Sequence, residues 1–533
     1  MQDSTLVIGF IAVVLAVYVV DRLIQAKKNA NLLPLPPGPK GLPLLGNLLD
    51  LPKTGTFEAK HWANLAELHG PINSVSVMGK TLILINDSQL ALDMLEKRST
   101  FASRPQFHFA GDIIGWGRIT AAMRYNNTLR DHRKSFARVI GTKSLAAQYH
   151  EMQEAENAHF LLHLLDNPDI LRDHIKRQGN VSNLNLLPGQ EKRDPLIDMI
   201  QRSIDDLSLA AVPGAFLVDI LPILRYVPDW VPGTGWKKTA RRWAYELNAA
   251  IETPYEFTKH QLSEGRDNPS YIANLIRTSE NTPEQIHSHQ WSSAALYSGG
   301  TDTTVSTTAC FFLAMTMYSD VQAKAQAEID RVVGTGRLPS LEDREALPYV
   351  EAVLKETLRW HTVIPMGLPH AGEEDTTYEG YRIPKEAMIM PNIWRFTHDP
   401  ETYHDPEEFR PERHLESENH QPETDPRKFV FGFGRRICPG RIFADNALFL
   451  TFSQSLAVFN IRKKSVDGNI VEPKMKSMPG SISHLGHYET SIEPRSAHHE
   501  DMIHSLEKRY PWPKSDGETL KRMVPPQVKN VSI

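Results

Sequence analysis

The segment Phe431-Gly-Phe-Gly-Arg-Arg-Ile-Cys-Pro-Gly440 contains Cys438, one of two cysteines in this 533-residue chain, flanked by three glycines and a proline. Glycine and proline favour a tight turn, in which backbone N–H groups can point at the sulfur. Arg435 and Arg436 add positive charge, and a helical pattern from about Arg441 would place the sulfur near a helix N-terminus. All of these features favour the thiolate over the thiol. A small buried core cysteine, the simpler alternative, would not need the flanking glycines and arginines.

The overall composition is that of a folded globular protein, with 41% hydrophobic and 23% charged residues. It excludes a largely disordered chain, a collagen and a coiled coil. The 59 lysines and arginines are balanced by 64 aspartates and glutamates, which leaves no basic field for nucleic acid. With only Cys310 and Cys438, the chain cannot form a four-thiolate zinc site, an iron–sulfur cluster or a disulfide framework.

The N-terminus carries an apolar run from Leu6 to Val20, which is followed by Arg22 and two lysines. Residues 4–24 would reach about 31 Å as a helix, enough to cross the hydrocarbon core of a bilayer. The basic residues after the run place the body of the protein in the cytosol by the positive-inside rule. We therefore predict a membrane anchor over residues 1–24 and a basic, proline-rich hinge over residues 25–43. A cleaved signal peptide is the alternative, but it would need basic residues before the apolar run.

The rest of the chain shows mainly helical periodicity. Apolar residues recur at helical spacing in four long segments, residues 151–165, 285–318, 320–333 and 347–360. Strand patterns are fewer: a hairpin over residues 75–86 and a strand pair that follows Asn469 and ends near Ile492. The sequence thus predicts a mainly α protein with small β-sheets (α+β).

One body is expected over residues 44–496, because no low-complexity linker divides it. Within it, the segment 382–439 is rich in proline and glycine and is predicted to be mostly loop. The polar stretch 497–533 is predicted to be a mobile tail with at most one short helix.

Two polar patterns lie on predicted helices. Glu356 and Arg359 are three residues apart, so they share a helix face and can form an ion pair. Gly299-Gly300-Thr301-Asp302-Thr303-Thr304 lies in the middle of a long helix, where each glycine costs about 1 kcal/mol relative to alanine. A helix kink with satisfied hydroxyl groups would explain the second pattern without a function.

The segment 431–440 matches the pattern F-x-x-G-x-R-x-C-x-G, and on this motif the chain resembles the cytochrome P-450 superfamily. The resemblance runs from about Pro34 to Ser496 and is greatest to microsomal-type members of fungal secondary metabolism. It implies the cytochrome P-450 fold and a haem b cofactor whose iron has Cys438 as axial ligand, with Phe431 and Gly440 in the same haem-binding loop.

Residues 299–304 resemble the oxygen-groove motif of the same superfamily. The resemblance implies that Gly299 and Gly300 open a groove for dioxygen over the haem. It also implies that Asp302 and Thr303 are the catalytic acid–alcohol pair that relays protons.

The resemblance further implies a set of partners for the haem propionates. Arg130, His132 and Arg133 lie in a stretch similar to W-R-x-H-R, although leucine stands at the tryptophan position. His370 and Arg436 resemble the remaining propionate partners. A solvated basic helix face, able to dock an acidic redox partner, is the alternative for Arg130 and its neighbours.

Phe409-Arg-Pro-Glu-Arg413 resembles the meander segment, in which the second arginine joins the Glu356–Arg359 pair in a network that supports the haem loop. Substrate contacts are expected from five apolar residues that flank the two haem-facing motifs. They are Trp291, Ala295, Val363, Ile364 and Met366. Their character favours a hydrophobic substrate.

The resemblance as a whole implies a haem-thiolate monooxygenase that oxidises a hydrophobic small molecule with dioxygen, in secondary-metabolite biosynthesis. Electrons would come from NADPH through a separate NADPH–cytochrome P-450 reductase, with cytochrome b5 as an alternative donor, since the chain shows no dinucleotide-binding motif. The anchor implies contact with membrane lipid and a single-pass protein of the endoplasmic reticulum with a cytosolic catalytic domain. Two alternatives stay open: a haem-thiolate isomerase or dehydratase that needs no electrons, and a non-catalytic haem-binding protein.

Overall fold

The computed structural model describes residues 20, 32–53, 55–184, 195–210, 216–219, 221–266, 270–512 and 516–525. The predicted anchor, residues 1–24, lies outside the described residues apart from position 20. Within the described parts of the chain, no helix is both long enough and apolar enough to cross a bilayer.

Most of the described chain is helical. The α-helices are α1 Glu58–His69, α2 Ser88–Ala91, α3 Asn127–Ile140, α4 Lys143–Ala147, α5 His150–Asp166, α6 Leu171–Leu184, α7 Pro195–Ala210, α8 Gly235–Ser263, α9 Tyr271–Thr278, α10 Pro283–Met317, α11 Ser319–Val332, α12 Pro348–Trp360, α13 Ile393–Thr397, α14 Arg427–Val430, α15 Arg441–Val458, α16 Ala497–Arg509 and α17 Gly517–Met523. Helices α5, α10, α11 and α12 confirm the four long predicted helices, each boundary within two residues of the prediction.

The strands form four small sheets. They are β1 Ile72–Val77, β2 Lys80–Ile85, β3 Thr376–Tyr378, β4 Tyr381–Ile383, β5 Met388–Pro391, β6 Phe459–Lys463, β7 Ser465–Val466, β8 Asn469–Ile470 and β9 Thr490–Pro494. The predicted hairpin is confirmed as antiparallel β1–β2, with Val77 opposite Lys80, and parallel β5 extends this sheet. The mainly α architecture with small sheets is therefore as the sequence predicts.

Two predictions near the C-terminus are wrong. The last strand, β9, pairs antiparallel with β6, which precedes Asn469, and not with a strand after it. The stretch after Ser496 holds two helices and not at most one. Ile503 of α16 is fully buried in the largest core and Leu520 of α17 is buried against α7 and α8. The apolar faces of these two helices pack against the rest of the protein. The weak periodicity of their sequence does not indicate this packing.

The proline-rich segment before residue 44 contains no helix over its described residues 32–43, and it packs on the first sheet. The Ser74 hydroxyl donates to the Pro36 carbonyl at 2.7 Å, and the Ser74 N–H donates to the Pro37 carbonyl at 2.8 Å. Because β1 supplies these hydrogen bonds, the described part of the hinge belongs to the folded body.

The largest core forms where α10 packs against α15. Thr282 begins α10 with a reciprocal cap, since its hydroxyl accepts from the Gln285 N–H and the Gln285 side chain accepts from the Thr282 N–H. Further along, the Phe311 ring stacks on the Phe452 ring of α15 at 4.0 Å between centroids. Since Cys438 lies just before α15 and residues 299–304 lie within α10, this packing positions both motifs.

Candidate functional site

Cys438 lies in a turn whose backbone is fixed by its own glycines. Its N–H donates to the Phe431 carbonyl at 2.8 Å, which closes the loop, and the Gly440 N–H faces the sulfur. Gly434 has a φ of +50°, and a Cβ there would lie 2.8 Å from the Leu95 carbonyl oxygen. Only glycine fits this close approach, so the loop can press against the π-helical turn at residues 92–96.

The electrostatics at the sulfur differ from the sequence prediction. Burial raises the pKa of Cys438, and the Gly440 N–H and the charges of Arg441 and Arg133 offset this only in part. Arg435 instead points away and donates to the Tyr125 hydroxyl. In the chain without a metal ion, burial outweighs the donors and the cations. A bound metal ion would add positive charge that favours the thiolate.

Two arginines are buried beside this loop. Arg104 is 6% exposed and Arg436 is 9% exposed, and neither forms an ion pair with a carboxylate in the described part of the chain. The guanidinium N–H groups donate to backbone carbonyls of Ala121, Leu368 and Pro369 for Arg104 and of Ala102, Thr120 and Met123 for Arg436. Burial and the charge of Arg436 lower the pKa of Arg104, and burial and the charge of Arg133 lower that of Arg436 to about 10. Buried like charges without an anion are costly, so the arrangement indicates an anion site.

Two buried histidines lie by these arginines. His370 Nδ1 bonds the Phe101 carbonyl at 2.9 Å, and burial together with the charges of Arg104 and Arg436 lowers its pKa well below the usual value. His132 is 0% exposed, its Nδ1 lies 2.9 Å from the Thr120 hydroxyl, and its Nε2 has no hydrogen-bond partner among the described residues. Thr120 links the groups, since its carbonyl accepts from Arg436.

Of the other two predicted propionate residues, Arg133 adjoins this cluster and Arg130 does not. Arg133 donates to the Ile437 carbonyl at 3.0 Å and so contacts the cysteine loop directly. Arg130 is exposed on α3 with its guanidinium over the Tyr125 ring, as in a solvated helix face. Sequence reasoning missed Arg104, whose signal is an arginine in the apolar segment around residues 101–105.

On the α10 side, the glycine-rich motif borders open space. Gly299 is exposed in the middle of a largely buried helix, and a Cβ there would meet no described atom within 4 Å outside its own stretch of helix. The same holds for a Cβ at Gly440, beside the cysteine. The Thr303 hydroxyl donates to the Gly299 carbonyl at 2.8 Å. Asp302 Oδ2 lies 3.2 Å from His484 Nε2, a partner that sequence reasoning missed.

These residues fit haem b. Its two propionates would supply the anions that Arg104, Arg436 and the unpartnered Nε2 of His132 lack. Its iron would supply positive charge at the half-buried Cys438 sulfur. A Cβ at Gly299 or at Gly440 would meet open space, so both glycines leave room for a bound group.

The predicted support network comes together around Glu356, whose side chain is fully buried. Arg359 donates to both Glu356 oxygens at 2.8 Å, Arg413 donates to Oε1 at 3.0 Å, and His414 Nε2 lies 2.9 Å from Oε2. Burial alone would raise the pKa of Glu356, but these cationic partners lower it overall. His414 is a fourth member that the sequence analysis did not include.

The five predicted substrate contacts differ in how deeply they are buried. Trp291 is buried under the guanidinium of Arg118, and Met366 is buried in a small core under the first sheet. Ala295, Val363 and Ile364 remain partly exposed.

Comparison with known proteins identifies relatives over almost the whole chain. The sequence model of the family described as Cytochrome P450 matches residues 36–484. Cytochrome P450 monooxygenase 208 of Postia placenta is 44% identical over 89% of this chain and 93% of its own length. Cytochrome P450 monooxygenase claR of Ampulloclitocybe clavipes is 43% identical over 88% of each chain. An O-methylsterigmatocystin oxidoreductase of Aspergillus flavus is 40% identical over 96% of this chain and 97% of its own.

Proposed function

The chain belongs to the cytochrome P450 family, and on that premise we propose that it is a haem-thiolate monooxygenase acting on a lipophilic secondary metabolite. The observation that carries the proposal is the pair of buried, anion-free arginines, Arg104 and Arg436, beside the loop of Cys438. The family's cofactor is haem b, with electrons supplied by a separate reductase. When bound, the haem supplies activation of dioxygen and one-electron chemistry that no protein side chain provides.

On the cysteine side, the role proposed for the chain is to hold the Cys438 sulfur in position. The carbonyl of Phe431 and the N–H of Gly440 fix the position of Cys438 through backbone contacts. Arg104 and Arg436 hold the cofactor's carboxylates in a buried setting, where charge-assisted hydrogen bonds are strong. His370 is a third member of this anion site.

On the α10 side, the proposed work is proton delivery. The Thr303 hydroxyl is held by the Gly299 carbonyl, so its oxygen lone pairs are free to accept another proton donor. Asp302 lies next to Thr303 and is paired with His484, which is partly exposed. We assign Asp302 to take protons from the solvent side and Thr303 to pass them to the reacting oxygen atom.

We also propose that residues 1–24 anchor the enzyme in the endoplasmic reticulum membrane, with the catalytic domain in the cytosol. The apolar run and the basic residues after it support this placement. Exposed cations beside the cysteine loop, among them Arg130, Lys134 and Arg435, favour docking of an acidic NADPH–cytochrome P-450 reductase or cytochrome b5. Fractionation of cells that express the full chain and a form lacking residues 1–24 tests the anchor, since only the full chain should sediment with membranes.

The substrate class is taken from the relatives and the site. One relative is named for oxidation of O-methylsterigmatocystin, and the partly exposed Ala295, Val363 and Ile364 are apolar. We therefore propose a polyketide, terpenoid or indole alkaloid of low polarity as the substrate.

The deciding experiment measures turnover of such a compound panel by the purified holoenzyme, with and without reductase and NADPH. We expect oxygenated product only in the complete system, and a red-shifted Soret band for the reduced carbonyl complex. Product without reductase would mean an isomerase or dehydratase. Haem without turnover of any compound that shifts its spin state would mean a non-catalytic haem-binding protein.

A further inference from the structure

A pocket of about 700 Å³ lies between the segment 105–126 and helix α8. Its wall is partly apolar, with Phe107, Ile113 and Ile114, but it also contains three arginines. We propose that this pocket is a substrate subsite in which Arg118 binds an anionic oxygen group, such as a carboxylate. The inference rests on the proposed function and deepens it, because it replaces a purely apolar substrate with an amphiphilic one.

Arg118 differs from the other two arginines of the pocket in its partners. Arg124 forms an ion pair with Glu386, and Arg225 Nη1 lies 4.0 Å from Asp112 Oδ2. In the described part of the chain, Arg118 has no carboxylate within ion-pair distance, and the charge of Glu252 acts on it only from farther away. The pocket therefore holds one cation whose charge is not neutralised by contact.

The hydrogen bonds of Arg118 leave most of its donors free. Its Nε donates to the Gly115 carbonyl at 3.2 Å, and its Nη2 donates to Asn248 Oδ1 at 3.1 Å. A guanidinium has five N–H donors, so three remain, two on Nη1 and one on Nη2. A carboxylate can accept such donors two at a time in a planar fork.

The guanidinium is also held in one place. Its carbon lies 4.1 Å from the centroid of the buried Trp291 ring, which supports it from one face. Gly115 has a φ of +114°, and a Cβ there would lie 2.1 Å from Nη2 of Arg118. Glycine at this position is what lets the guanidinium lie against the backbone. A donor fixed in advance loses little conformational entropy on binding, as expected of a recognition site.

The pocket borders the anion site of the cofactor. Met123 lies in its wall, and the carbonyl of the same residue accepts from Arg436 at 2.6 Å. A ligand held at Arg118 by its acidic end would have its apolar part against Ile113 and Ile114. Arg118 would then be a specificity-determining residue.

The test uses 1-pyrenebutyric acid and its methyl ester, a fluorescent pair that differs only in the charge of one group. Binding of each to the full-length holoprotein is measured by pyrene fluorescence, which does not depend on turnover. We expect the acid to bind about ten-fold or more tightly than the ester, the effect of a charge-assisted hydrogen bond pair. Arg118→Gln should abolish this preference, while Arg118→Lys should keep part of it.

Arg225→Gln is the matched control, because that arginine lines the same pocket but already faces Asp112. It should leave the acid-over-ester ratio within about two-fold. Equal binding of acid and ester by the unmodified protein would overturn the inference without any variant. Equal loss of both ligands in Arg118→Gln would also overturn it, since that result assigns Arg118 to packing on Trp291.

Failure of this inference and failure of the proposed function give different results. A holoprotein that oxygenates neutral compounds but ignores the charge of the probe refutes the acidic subsite alone. A protein that prefers the acid but shows no reductase-dependent turnover keeps the subsite and refutes the monooxygenase.

Discussion

Two groups of buried arginines in this protein are similarly buried but differ in their partners. The arginines of one group contact carboxylates, and those of the other group do not, within the described residues. In the network around Glu356, Arg359 and Arg413 are fully buried, and each contacts a carboxylate. Beside the cysteine loop, Arg104 and Arg436 are nearly as buried, and their acceptors are backbone carbonyls. Buried charge is tolerated when it is paired and is costly when it is not. The first group is therefore complete within the chain, and the second is complete only with a ligand that brings anions.

The network around Glu356 also connects distant segments. Besides its carboxylate, Arg359 donates to the carbonyl of Thr397 at the end of α13 and to those of Pro406 and Glu408 in the loop that leads to Arg413. The network thus fixes this loop against α12 whether or not a cofactor is bound. Comparing variants in haem-free and haem-loaded protein separates the two kinds of site.

The largest expected effect comes from removing the carboxylate at the centre of the Glu356 network. Glu356→Ala should lower the free energy of unfolding by about 3–5 kcal/mol, because it leaves Arg359 buried without a counter-charge and leaves Arg413 with Glu423 as its only carboxylate partner in the described residues. The loss should be the same in haem-free and haem-loaded protein, as measured by urea unfolding. Glu345→Ala, at an exposed glutamate just before the same helix, is the control and should change stability by no more than about 0.5 kcal/mol. A small loss at Glu356 would remove the contrast on which the comparison depends.

The next largest effect is a pH dependence of stability that arises at His132, in the site beside the cysteine loop. Burial lowers the pKa of His132 from 6.5 to about 4, so the unfolded chain takes up a proton before the folded chain does. Haem-free protein should therefore lose up to about 3 kcal/mol at this residue as the pH falls from 6.5 to 4. His132→Gln should flatten the stability curve in that window.

Bound haem should also flatten this curve, because nearby carboxylates favour the charged imidazole. His487→Gln, which alters an exposed histidine paired with Glu489, should leave the slope unchanged. The same acid slope in wild type and His132→Gln would contradict the assignment.

Arg436→Met should destabilise haem-loaded protein more than haem-free protein. Haem-loaded protein should lose about 1.5–3 kcal/mol more than haem-free protein, the value of hydrogen bonds to a charged partner. Haem affinity, measured by titration of the haem-free variant, should fall by about ten-fold to a hundred-fold. An equal loss in both forms would mean that Arg436 acts only as a structural donor to its three carbonyls.

The smallest effect on stability is expected at Thr303. Thr303→Ala removes one hydroxyl-to-carbonyl hydrogen bond, worth about 1 kcal/mol, and should leave haem content unchanged. Peroxide release per NADPH consumed should rise, because the hydroxyl that we propose passes protons is gone. Thr307→Ala, one turn further along α10 with the same kind of bond, is the control and should stay coupled. If Thr303→Ala is as well coupled as wild type, Thr303 does not relay protons.

The sequence predicts features that depend on neighbours in the chain. The turn around Cys438 follows from its glycines and proline, and the Glu356–Arg359 pair follows from helical spacing. The long helices follow from apolar periodicity, which reports the face that a helix buries. In each case the interacting groups are a few residues apart, so local backbone geometry is enough to place them.

The tertiary structure decides which distant groups meet. Arg104 and Arg436 are separated by more than three hundred positions, and His484 reaches Asp302 from another element, so no local pattern pairs them. Trp512 likewise stacks on His159 of α5 at 4.0 Å between ring centroids, which joins the C-terminal stretch to the body. Periodicity tells that a face is buried and not what covers it. The net charge of a buried site depends on all the groups that folding brings together there. It can therefore be determined only from the folded structure.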